Sequence, residues 1–203
     1  YCNGNNGQII DFTGLEDAIN LGVLDIQNMT APTLQLVNLA IGAQLNFQNN
    51  LSTKIIIDNC SFMWLVVNTN PLLTALEFRN SNTLLNNGAV GIGFNNFLQA
   101  FDFSSVNMQG TAVLTISVNL YLSQVNLKNG SCVLWVGVEN IGNQNLFCVQ
   151  VDDPSYSEIA GWIWEEFHSP LNQNNLYSYE TDCGYPVLSI QEHPSTLKLY
   201  PNP

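Results

Sequence analysis

Between Leu24 and Phe78 a three-residue pattern, apolar at its first and third positions, recurs at nearly constant spacing: Leu24-Asp25-Ile26, Leu34-Gln35-Leu36, Leu45-Asn46-Phe47, Ile55-Ile56-Ile57, Leu65-Val66-Val67 and Leu76-Glu77-Phe78. The steps between first residues are 10, 11, 10, 10 and 11. In an extended chain residues i and i+2 share a side, so each triplet sends two apolar side chains inward and its middle residue outward. A three-residue strand cannot bury that face alone. Two steps make a period of about 21 residues, and coils stacked at the inter-strand spacing of about 4.8 Å would share one continuous core.

Asn stands two places after the triplet at 28, 38, 49, 59 and 80, although Asn is only 29 of the 203 residues. It suits a repeated turn, because it tolerates left-handed backbone and its amide bonds local groups. Stacking would align these amides into a ladder.

The register breaks after Phe78. Arg79 to Val90 (RNSNTLLNNGAV) reads as a loop or an irregular half-coil. Triplets resume at Phe101-Asp102-Phe103, Ile116-Ser117-Val118, Val125-Asn126-Leu127, Leu134-Trp135-Val136 and Val149-Gln150-Val151. An apolar residue three places ahead of many triplets (Leu21, Phe62, Leu73, Leu98, Val113, Leu122, Leu146) completes an L-x-x-L-x-L pattern, the leucine-rich-repeat signature. Ahead of the array, Thr13 and Glu16 have capping-box spacing for a short helix through Leu21.

Charge narrows the function classes. Only 10% of residues are charged, and the net charge is −12 with four Lys and Arg. That balance opposes binding to nucleic acid or to anionic lipid. Most acidic residues lie at the chain ends, leaving the repeats near neutral, so the ends would resist stacking on one another. No apolar run reaches the roughly 20 residues of a membrane span. The chain opens on Tyr1, as a processed form or a fragment would. Five cysteines (2, 60, 132, 148, 183) show no zinc or thioredoxin spacing, and their odd number leaves at least one free or paired elsewhere. Cys60, at a turn beside a ladder Asn, reads as a small buried side chain.

The block Ile10 to Asp17, the Leu-Asp-Ile and Leu-Asn-Phe triplets with their following Asn, Val125 to Gly130 (VNLKNG) and above all Leu146 to Ser157 (LFCVQVDDPSYS) resemble the secreted leucine-rich-repeat proteins of Bacteroidetes-type bacteria. In that family a C-x-Q-V-D-D segment, a Trp and a later Cys close the array, and Cys148, Trp162 and Cys183 fall on those positions. The resemblance thus implies a Cys148–Cys183 disulfide, closing a loop of about 35 residues in an oxidising, extracytoplasmic setting. The spacing from 79 to 120 departs from the family's regular repeat. Near the C-terminus, Leu197 and Leu199 followed by Tyr200-Pro201-Asn202-Pro203 resemble the opening of a type IX secretion sorting domain, whose remainder would lie beyond residue 203.

Read by itself, Ser155 to Phe167 fits a short helix packing through Trp162, Ile163 and Phe167. Catalysis finds few candidates: His168 and His193 read as solvated side chains, and no nucleophile, zincin, phosphate-loop or dinucleotide motif occurs. No cofactor and no metal site is expected.

The expected architecture is a β-rich solenoid of irregular leucine-rich-repeat type with coils of about 21 residues and a small helix-containing cap. Its divisions are a lead-in (1–23), the solenoid (24–151), a disulfide-closed cap (152–184) and a linker into the sorting domain (185–203). The expected function is non-catalytic binding or adhesion, secreted or at the outer cell surface, toward a protein or glycan. The alternatives are an accessory module of a larger secreted enzyme or a structural surface component. Ile56, Val66 and Trp135 are apolar at outward triplet positions, so they are either covered by neighbouring chain or part of a recognition face.

Overall fold

A computed structural model describes residues 2–3, 12, 14–18, 21–108, 112–130, 134–138, 142–155 and 178–184. The chain winds as a β-solenoid of about five turns, made of two parallel sheets that it visits alternately. Sheet A takes β1 (Cys2–Asn3), β2 (Leu21–Gln27), β4 (Ile41–Gln48), β6 (Ser61–Asn68), β8 (Asn82–Gly93), β11 (Ala112–Ser117) and β13 (Leu134–Val138), in that order. Sheet B takes β3 (Thr33–Val37), β5 (Lys54–Asp58), β7 (Ala75–Arg79), β9 (Ala100–Asp102), β12 (Gln124–Asn126), β14 (Cys148–Gln150) and β15 (Ser178–Glu180). The remaining strand, β10 (Val106–Met108), pairs with the first half of β8.

The first six triplets fall alternately on the two sheets. Leu24, Leu45, Leu65, Val90 and Leu114 stack in one row of sheet A. Leu34, Ile55, Leu76, Phe101, Val125, Val149 and Tyr179 stack in one row of sheet B. The inward residues of both sheets form one core, with Ile26, Phe47, Ile57, Val67, Phe101, Leu114 and Val125 fully buried. The gain is cumulative, since each buried aliphatic or aromatic side chain is worth about 1.5–3 kcal/mol. The Asn residues after the triplets serve as expected: Asn28, Asn38, Asn49, Asn59 and Asn80 all have φ between 51° and 58° and turn the chain from one sheet to the other. In the exposed row Asn59 Nδ2 donates to Asn38 Oδ1 at 2.8 Å, while Asn80 Nδ2 donates to Asp58 Oδ1.

Two expectations are corrected and one is narrowed. Of the two readings of Arg79 to Val90, the irregular half-coil holds and the loop does not: Asn82–Gly93 is a strand, and the insertion is absorbed as a bulge, because the pairing of β6 with β8 passes directly from Phe62↔Leu84 to Trp64↔Ala89. The lead-in is no helix to Leu21. Among its described residues it holds one 3₁₀ turn, Leu15–Asp17, preceded by Gly14 at φ 92°, and Leu21 already belongs to β2, where pairing with β4 outweighs local helix preference. The triplet at Ile116 is out of register by two: Leu114 and Ile116 point inward, while Val118 sits in a left-handed turn.

The stack also extends past the expected solenoid limits. β1 pairs with β2 before Leu24, and β15 adds a rung to sheet B within the stretch assigned to the cap. The disulfide implied by the family resemblance is present, Cys148 to Cys183, with Cα atoms 5.9 Å apart. Gln150 Oε1 accepts from Cys183 N–H, and Gln124 Nε2 donates to Cys183 O, so the segment after β15 lies across the outside of sheet B. The expected helix face with Trp162, Ile163 and Phe167, both His residues, Cys132, Thr13 and the Tyr200–Pro203 motif lie outside the described residues.

Candidate functional site

The two sheets and the two corners between them carry different chemistry. Sheet B presents the charge. On its outer face Gln35, Ile56, Glu77, Asp102, Asn126, Gln150 and Glu180 follow one another across the strands. Glu77 forms ion pairs with Lys54 and Arg79. Partial burial alone would raise its pKa, but the hydrogen bonds and charges of Lys54 and Arg79 outweigh that and hold the carboxyl below its ordinary value. Ile56, between Gln35 and Glu77, is only 4% exposed. Of the two readings left open for it, coverage by neighbouring chain is the one the structure shows.

The expected trio does not come together. Ile56 lies on sheet B and Val66 on sheet A, so they face opposite ways. Trp135 is on sheet A, but its register partner is Val113, which pairs with Ala89, which pairs with Trp64. That column flanks the one holding Val66. The residue that completes an aromatic position beside Val66 is Trp64, 47% exposed, which the triplet pattern passes over because it sits one place ahead of Leu65.

Sheet A has an almost uncharged outer face. Its middle column runs Asp25, Asn46, Val66, Gly91, Thr115, Gly137, and Asp25 is the only ionisable member. That carboxylate accepts from Gln27 Nε2 and Asn46 Nδ2, each at 2.9 Å, and is thereby fixed on the surface.

At the corner where the chain leaves sheet A, a second buried column of Asn appears. Asn50, Asn70, Asn95, Asn119 and Asn143 are spaced 20, 25, 24 and 24 residues apart and are at most 2% exposed. Each main-chain N–H from Asn50 to Asn119 donates to the next Asn Oδ1 at 2.9–3.1 Å, and each Nδ2 donates to a carbonyl at the end of the sheet A strand one coil below. The ladder satisfies the polar backbone of a dry turn. Sequence reasoning missed it, although the spacing of Asn directly after the left-handed residue carried the signal.

The ladder fixes what lies outside it. Leu73, Leu98, Leu122 and Leu146 N–H groups donate to the carbonyls of Asn70, Asn95, Asn119 and Asn143, closing four equivalent tight turns. These leucines face the core, so the residues before them face out. Leu72, Phe97 and Tyr121 occupy that equivalent position, with Leu51 below and Leu120 and Phe147 beside, and all six are exposed. The Phe97 and Tyr121 rings stack, centroids 5.7 Å apart and planes 12° apart. The turns at 49–53, 69–74, 94–99, 118–123 and 142–147 contain no charged residue. The result is a continuous uncharged apolar ridge running along the solenoid axis.

Nucleophilic chemistry finds no foothold at Cys60. Its Sγ lies 3.3 Å from the Asp58 carbonyl oxygen and 3.7 Å from that of Leu36, it is 1% exposed, and burial pushes its pKa up. This is the small buried side chain expected from its turn position. Among the described residues, no three His, Cys, Asp or Glu side chains gather where they could hold a metal ion. No helix among them is long and apolar enough to cross a membrane. No protein-family model, curated protein or solved structure matches the chain.

Proposed function

We propose that the protein is a non-catalytic binding or adhesion module, working outside the cell or on its outer surface, that docks a partner protein through the apolar ridge. The observation that carries this reading is the alignment of Leu51, Leu72, Phe97, Leu120, Tyr121 and Phe147 on one uncharged corner. Contiguous exposed apolar surface marks interaction sites in soluble proteins, and aromatic side chains are the usual anchors. An aliphatic and aromatic strip with no charge around it gives a partner's apolar groove a surface it can dehydrate at little cost.

The extracytoplasmic setting rests on the Cys148–Cys183 disulfide, a bond that persists in oxidising compartments. Export through the type IX machinery remains part of the proposal through the resemblance of Tyr200–Pro203 to a sorting-domain opening.

The test is binding of the purified chain to immobilised extracellular proteins and to intact cells, in parallel with a Leu72→Ser/Phe97→Ser/Tyr121→Ser variant. Saturable binding by the parent chain that falls at least about tenfold in the variant supports the ridge as the contact, as expected for the loss of aromatic anchors. Equal binding by both, or binding by neither, overturns it. Circular dichroism and a melting curve establish that the variant is folded; exposed positions predict a change within about 0.5 kcal/mol each.

A further inference from the structure

Beyond its bulge, β8 presents only small residues on the outer face of sheet A: Ala89, Gly91 and Gly93. The strands on either side are taller. β6 presents Trp64, Val66 and Asn68 opposite them, and β11 presents Val113, Thr115 and Ser117. Because β6 and β11 both pair with β8, their backbones stand two inter-strand spacings apart, about 9.6 Å. The outer face of sheet A therefore carries a trough that runs along β8.

Its two ends differ. Over Gly91 the trough is open: a Cβ added there would meet no heavy atom within 4 Å. Over Gly93 the walls close, with Ser117 Oγ and Asn68 Oδ1 only 2.7 and 2.9 Å from such a Cβ. Asn68 Oδ1 is covered by protein at this closed end, so it takes no part in the open floor of the trough.

We propose that this trough binds a segment of an uncharged glycan, with Trp64 as the wall on which a pyranose ring stacks and with Thr115 and Ser117 meeting its hydroxyls. The assignment follows from the lining. Among the described residues no ionisable side chain borders the trough, so a phosphate, a uronic acid or a basic peptide gains no ion pair from them there. The indole has an apolar face and is half exposed, which suits the C–H face of a sugar ring. The hydroxyls of Thr115 and Ser117 donate and accept, a combination matched to a ligand whose own groups do both. The site is separate from the ridge, which lies on the corner, and does not depend on it.

Gly91 supplies the test. Its backbone is in ordinary territory and the space above it is empty, so a larger side chain there fills the trough without disturbing the fold. The full chain, Gly91→Leu and Trp64→Ala are titrated calorimetrically with four soluble neutral polysaccharides, a β-glucan, an α-glucan, a mannan and a xylan, and with polygalacturonate as the charged control. An uncharged peptide library is run as competitor. The expected result is binding of at least one neutral glycan, weakened about tenfold or more in each variant, as loss of an aromatic anchor produces, and kept in the Phe97→Ser/Tyr121→Ser ridge variant. Binding of none of the neutral glycans overturns the proposal. So do unchanged affinity in Gly91→Leu, a preference for polygalacturonate, or displacement by peptide in place of glycan.

Discussion

The main-chain N–H and the side-chain Nδ2 of Asn70 both donate to Oδ1 of Asn95, each at 3.1 Å. Asn95 Nδ2 in turn donates to the Val67 carbonyl oxygen at 2.9 Å. One side chain thus completes bonds above and below itself in a corner without water access. Asn95→Leu keeps the volume and removes all of these, orphaning an N–H and a carbonyl at a cost of about 4 kcal/mol. Asn49→Ala, at the exposed left-handed position of the same corner, loses only backbone ease and costs about 1 kcal/mol. Urea denaturation of the two variants separates these expectations; equal losses would mean that the buried amide has no special weight.

Reduction of the Cys148–Cys183 bond, or Cys183→Ser, releases a loop of 35 residues. The chain-entropy model puts the loss at about 3–4 kcal/mol. The segment carrying β15 is held to the rest by the bond, by a short pairing with β14, and by the Gln124 and Gln150 contacts. Amide exchange at Ser178–Glu180 is therefore expected to accelerate on reduction, while exchange in β4 and β6 stays slow. Uniform acceleration along the chain would instead show that the whole stack depends on the bond.

Glu77 links Lys54 and Arg79 on the face of sheet B. Its folded pKa lies below the unfolded value, so its contribution is present above the ordinary carboxylate range and disappears as pH falls through the depressed folded value. Glu77→Gln should flatten the acid limb of the stability profile and leave its neutral region within about 1 kcal/mol, the usual worth of exposed pairs. Denaturation midpoints from pH 3 to 7 measure this, and an unchanged acid limb would contradict it.

The fold was legible where period and burial agree. Leu24-Asp25-Ile26 and its five successors recur every 10 or 11 residues and bury their first and third side chains, so the triplet alone defines the coil. Legibility failed where apolarity did not mean inward. Val118 is apolar but turns a corner, which displaced the Ile116 triplet by two. Ile56 is outward by alternation yet only 4% exposed, so alternation alone did not report its burial. Trp64 and the β8 glycines became meaningful only once the bulge in β8 set their register, and a bulge leaves no periodic trace. The buried Asn ladder was hidden by its wider spacing of 20 to 25 residues, outside the 10- or 11-residue step of the triplets.

Val118 supplies the last expectation. At φ 49° it holds the left-handed position that Asn28 and Asn49 occupy elsewhere along the same corner. A β-branched side chain there is strained, because Cβ crowds its own backbone. It also packs against Gly142, whose added Cβ would come within 2.7 Å of Val118 Cα. Val118→Asn removes the branching and places the residue type most tolerant of that backbone, so it should raise stability by about 1 kcal/mol. Gly142→Ala meets both the contact with Val118 and its own φ of 91°, and should destabilise by about 2 kcal/mol or more. The two melting temperatures are expected to move in opposite directions. A fall in Val118→Asn would show that packing of the valine methyls on the corner outweighs the backbone strain.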